Sequence, residues 1–92
     1  SAKFVVGTPA DPVLSVIEKG HDVTSEVDIR VNASMPAHGH GLGEEIEIER
    51  SAGQATLRNL NFTMPGEWQR EVYVGRGGVW HRAFADISVT EN

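Results

Sequence analysis

The chain has 92 residues, a formal charge of −5, 39% hydrophobic residues and no cysteine. That is enough for one core and too little for two, so residues 1–92 are expected to form a single domain burying roughly 60–68% of its unfolded surface. The acidic balance argues against nucleic acid as a partner, because phosphate binding needs a basic face. The missing thiols exclude disulfides, thiolate zinc, iron–sulfur clusters and cysteine nucleophiles. No apolar run approaches the ~20 residues of a membrane helix, and none has the form of a signal peptide.

In chain order, Lys3–Val6 and Val13–Glu18 are short strand candidates, separated by the Gly7-Thr8-Pro9 turn. Val23–Val31 alternates, with Val23, Ser25, Val27, Ile29 and Val31 on one face and Thr24, Glu26, Asp28 and Arg30 on the other. Period two with one apolar face predicts a half-buried strand. Glu44–Arg50 repeats the pattern, Ile46 and Ile48 inward and Glu45, Glu47 and Glu49 outward. That acidic row reads as a solvated face that guards a sheet edge, because alternate acids on a strand spread apart instead of converging on calcium. Ala55–Thr63 is a further candidate. Trp68–Val74 places Trp68, Val72 and Val74 together, and Val79–Val89 places Val79, Ala83, Ala85, Ile87 and Val89 in phase. Phe84 is out of phase, which predicts either a bulge or a ring covering the second face. Arg70 falls on the core parity of its strand, and an edge position that lets the guanidinium reach water is the preferred explanation over an acidic partner. Turn residues at 19–22, 51–53 and 75–78 punctuate the strands. No segment shows sustained helical periodicity. The pattern predicts an all-β fold, a single immunoglobulin-like antiparallel sandwich of about seven strands.

The chemistry concentrates in Ser34-Met35-Pro36-Ala37-His38-Gly39-His40-Gly41 and in Phe62-Thr63-Met64-Pro65-Gly66-Glu67-Trp68. In an extended chain His38 and His40 project to the same side. Met35 and Met64 each precede a proline at a strand end, and strand ends in a sandwich gather at two poles. Two imidazoles and two thioethers suit copper, sulfur favouring Cu(I), whereas zinc would use the imidazoles alone. The candidate metal ligands are therefore Met35, His38, His40 and Met64, with His81 in reserve and His21 idle. Each piece also has an ordinary reading. A His-Gly-His loop is more often a solvated turn, Met-Pro can plug a core, and Trp68 and Trp80 read as packing residues. No serine elbow or phosphate-cradling glycine motif occurs, so no enzyme is expected.

Together, Met35-Pro36-Ala37-His38-Gly39-His40-Gly41 and Leu60-Asn61-Phe62-Thr63-Met64-Pro65-Gly66-Glu67-Trp68 resemble the YtkA-like domain family, and the likeness extends over most of residues 20–90. Arg70 stands where that pattern has an aliphatic residue. The resemblance implies a small extracytoplasmic bacterial β-sandwich, periplasmic and often membrane-anchored, and is similar also to FixH-type proteins associated with copper supply to respiratory oxidases. It implies Met35, His38, His40 and Met64 as the copper site, a carrier or buffer role without catalysis, and a copper-accepting membrane protein as partner. The other reading of the chain is an immunoglobulin-like interaction module that docks onto a membrane complex or an adjoining domain and holds no metal.

Overall fold

The alternating segments form strands, and no α-helix occurs among the described residues. The structure, a computed structural model, describes residues 2–42 and 45–91, and for Ala2 and His40 the backbone alone. The strands are β1 (Ala2–Val5), β2 (Val13–Leu14), β3 (Ile17–Glu18), β4 (His21–Asp22), β5 (Asp28–Met35), β6 (His40–Gly41), β7 (Glu47–Ser51), β8 (Gln54–Arg58), β9 (Gly66–Arg76) and β10 (Val79–Thr90). A five-stranded sheet has the order β1-β10-β9-β5-β6, a three-stranded sheet the order β2-β8-β7, and β3 pairs with β4 alone. All pairs are antiparallel except β1 with β10. The all-β expectation holds, with more strands than the seven foreseen, four of them only two residues long.

Three hairpins turn on pairs of left-handed residues: Lys19-Gly20, Ala52-Gly53 and Gly77-Gly78 all have positive φ. Two such residues in succession match the right-handed twist of the flanking strands, which is why the turns fell where the sequence predicted.

The core lies between the two larger sheets. Val31, Ala33 and Met35 of β5, Trp68 and Val72 of β9, and Ile87 and Val89 of β10 meet Leu57 of β8, with Leu60 and Phe62 from the following connection. Phe62 packs edge-on to Trp68 with ring centroids 5.0 Å apart, and Phe4 tilts against Phe62 at 5.3 Å. Burying rings of this size supplies much of the driving force available to so small a domain.

Four expectations need correction. The Val13–Glu18 strand is broken, because Val16 N–H leaves the ladder and donates to Thr24 Oγ1 at 2.8 Å. Residues 24–26 form a 3₁₀ turn, so the strand predicted over Val23–Val31 begins only at Asp28, and it runs on to Met35. Thr24, expected outward, is 1% exposed. Ala55–Thr63 ends as a strand at Arg58, where Asn59 turns left-handed at φ 55° and donates its N–H to Asp11 Oδ1 at 2.7 Å. Arg70 is not on an edge, since β9 is hydrogen-bonded to β10 on one side and β5 on the other. Its neighbours in register are Ala33 and Ala85, whose small side chains leave room for a half-buried arginine.

The remaining strand predictions fit. Glu47–Ser51 is β7, with Ile46 and Ile48 half-buried and Glu45, Glu47 and Glu49 exposed; Glu44 lies outside the described residues. The pairing of β10 with β9 runs unbroken from Val79 to Val89, so there is no bulge at Phe84, and its ring lies on the outer face.

Candidate metal site

The first candidate segment is a hairpin. Met35 ends β5 and pairs with His40, which opens β6. Between them Pro36 occupies the second position of a β-turn closed by His38 N–H donating to Met35 C=O at 3.1 Å. Proline pre-sets the backbone angle that this position needs. Gly39 follows at φ +66° and returns the chain to β6. The stretch from His38 to His40 is therefore curved, and the rule that alternate residues of an extended chain share a side does not apply to it. His38 is exposed on this turn; the side chain of His40 lies outside the described residues.

The second segment lies against the base of the hairpin. Because β5 runs antiparallel to β9, with Ser34 opposite Gln69, the end of β5 is next to the start of β9. Met35 is 3% exposed and belongs to the core. Its methyl group reaches over Gly66, where an added Cβ would lie only 2.8 Å from Met35 Cε. Met64, two residues earlier, is half-buried and packs against the same core. The Trp68 indole N–H donates to Met64 C=O at 3.0 Å, which satisfies a buried ring nitrogen and pins the Met64-Pro65 loop. The Met-Pro-Gly-Glu-Trp segment therefore has a structural role of its own: Trp68 holds the loop, and Gly66 admits the Met35 side chain.

The two Met-Pro loops share one pole of the molecule. His21 and His81 do not join them. His21 lies in β4 and is exposed, just ahead of the turn that leads into β5 at the far end from Met35. His81 aligns through Val74 with Ile29, about 20 Å along β5 from Met35 at the rise of an extended strand. That places the reserve ligand out of reach. Among the described residues no three His, Asp or Glu side chains gather as a metal cluster, and the thioethers of Met35 and Met64 belong to the same pole as the histidine hairpin. Nitrogen with thioether sulfur is a donor set that fits copper better than zinc.

One feature escaped the sequence reading. On the outer face of the five-stranded sheet, Arg30 lies over the Trp80 ring at 5.1 Å and Arg82 over the Phe84 ring at 4.6 Å. Trp80 is 44% and Phe84 49% exposed. The Trp80 ring sits on Gly75, where any side chain would strike it at 2.8 Å. The signal was present in the alternation of Trp80, Arg82 and Phe84, opposite in phase to Val79, Ala83 and Ala85.

No protein-family model matches the chain, and no curated protein does.

Proposed function

We propose that the protein is an extracytoplasmic copper-binding domain of the YtkA-like type, an immunoglobulin-like sandwich that carries or buffers the metal without catalysing a reaction. Its ligands are Met35, His38, His40 and Met64. The observation that carries this reading is the shared pole: the hairpin bearing both histidines springs from Met35, whose methyl rests on Gly66, two residues from Met64. The sequence resemblance supports the same assignment, together with a periplasmic setting, a membrane tether outside these residues and a copper-accepting membrane protein as partner. An exposed imidazole such as His38 suits a site that must hand its metal on.

Anaerobic titration with Cu(I) against a competing chelator tests it. The His38→Ala/His40→Ala double variant is expected to lose about a hundredfold or more in affinity, since changing even the groups that only orient a metal ligand costs roughly 10–100-fold. Met35 needs a gentler substitution. Truncation to alanine would hollow the core, whereas Met35→Leu keeps its volume and removes only the sulfur. Equal affinity in the wild type and the double variant sinks the proposal.

The exposed Trp80 and Phe84 favour a second reading, an interaction module without metal, because aromatic and arginine side chains dominate protein interfaces. It predicts a melting temperature indifferent to copper.

A further inference from the structure

Two open strand edges face each other on the side of the molecule away from β1. β6 pairs with β5 only at Ser34 and Met35, so over residues 28–33 β5 has β9 on one side and no described strand on the other. β7 is paired only with β8. Residues 29–32 of β5 and residues 45–48 line the two walls of a cleft of ≈ 840 Å³, to which Tyr73 and Trp80 add their rings from the outer face. The walls are tied together at both ends. Arg50 of β7 donates to the carbonyls of Thr24 and of Val27, the residue just before β5, and at the other end the chain passes from β6 into residues 45–48. Both walls are interior segments; β1 and the end of β10 lie across the sheet, beyond β9.

We propose that this cleft binds an extended cationic peptide segment of a partner protein, which pairs with the open edge of β5 as an added strand. The inference goes beyond the copper reading and does not rest on it. Every second residue of 28–33 turns its N–H and C=O away from β9 and towards the cleft, a template for backbone pairing. Ile29, Val31, Ile46 and Ile48 line the cleft, and all but Val31 are only half-buried, so an apolar side chain set between the sheets would cover them. Charge names the other half of the pattern. Glu45 and Glu47 are exposed on the rim, and among the described residues neither joins an ion pair. The arginines of the cleft are engaged instead, Arg30 on the Trp80 ring and Arg50 on the two carbonyls. Since side chains of a strand alternate, the fitting segment alternates apolar residues with lysine or arginine. Residues 29–32 span about 13 Å at the rise of a strand, so about five residues fill the slot. The same carboxylates disfavour β7 of a second copy, which would bring Glu47 and Glu49 against them.

The probe is a fluorescein-labelled heptapeptide alternating lysine and valine, titrated with the whole chain by anisotropy and located by amide NMR. The expected result is micromolar binding that weakens as salt rises, with the largest amide shifts in residues 28–33 and 45–48. Glu45→Lys/Glu47→Lys should weaken it by about tenfold or more. Asp86→Lys/Glu91→Lys makes the same change of charge at exposed positions off the cleft and should weaken it far less. A peptide of the same charge with methylated backbone nitrogens has lost its N–H donors and should not bind the wild type, a result that needs no protein variant. No binding at millimolar lysine–valine peptide overturns the proposal. So does equal affinity for the methylated peptide or for one with glutamate in place of lysine, and so do amide shifts confined to other faces. Self-association of the chain with shifts in the same residues would give the cleft to a second copy and overturn it as well.

Discussion

Gly66 and Met35 are one structural unit. Gly66 has φ +127°, a region that side chains rarely adopt, and the Met35 methyl fills the space a Cβ would take. Gly66→Ala combines backbone strain with overpacking and should cost about 2–4 kcal/mol in urea unfolding. The cost should shrink in a Met35→Ala background, where the clashing methyl is gone, and simple additivity of the two changes would show that the contact is not the cause. Arg70 presents the opposite case. Its Nε is buried with no hydrogen-bond partner, and alanines flank it on both neighbouring strands. Replacing an unsatisfied polar atom by carbon removes a desolvation cost, so Arg70→Leu should stabilise the fold by about 1 kcal/mol. A lower midpoint in chemical denaturation would mean that the guanidinium has partners worth more than that cost.

The polar node around Thr24 explains why the alternating pattern overran its strand. Val23, Val27, Ile29 and Val31 do face inward as their spacing predicted, but Thr24 is drawn inside with them. Its hydroxyl donates to Asp22 Oδ1 at 2.6 Å and accepts Val16 N–H at 2.8 Å, while its own N–H donates to Asp22 Oδ1 at 2.9 Å. Arg50 reaches from β7 to the carbonyls of Thr24 and Val27. Hydrogen bonds to distant residues thus override a local period-two signal, and nothing in residues 22–27 alone could announce them. Thr24→Val is nearly isosteric and strands these partners, so it should cost about 1–3 kcal/mol of stability. The Thr24 hydroxyl, followed by its backbone N–H, holds the Asp22 carboxyl below its ordinary value of 3.8. A lowered folded-state pKa means that the folded chain binds this proton less readily than the unfolded one. The contribution is therefore full above the ordinary carboxylate range and fades as acidification passes down through the depressed value. Comparing Asp22→Asn with the wild type across acid pH checks this. The stability gap should close towards low pH, and a gap that is flat with pH would place the effect elsewhere.

Strand neighbours are what the sequence left open and what the candidate site depends on. Composition and alternation sufficed for an all-β chain, for the turns at 19–20, 52–53 and 77–78, and for the buried set of Trp68, Val72, Ile87 and Val89. They could not tell that β9 is central, because parity reports which face a residue takes and never which strand lies beside it. The same ignorance covered the distance between the two Met-Pro loops. The antiparallel pairing of β5 with β9 resolves it in favour of one pole, and it also separates His81 from that pole. Burial of Met35 was equally invisible, since a thioether that plugs a core and one that binds a metal look alike in sequence. A melt with and without copper distinguishes the two for the molecule as a whole. A ligand that binds only the folded state at a hundredfold excess over its dissociation constant adds about 2.7 kcal/mol. For a domain of this size that is a rise of roughly 10–20 °C in Tm. The wild type should show this rise under Cu(I), and the His38→Ala/His40→Ala variant should lose most of it, each protein being measured against its own metal-free melt. Matching shifts in both proteins would move the copper to other donors, and no shift in either would leave Met35 and Met64 as packing residues and the interaction-module reading in possession of the chain.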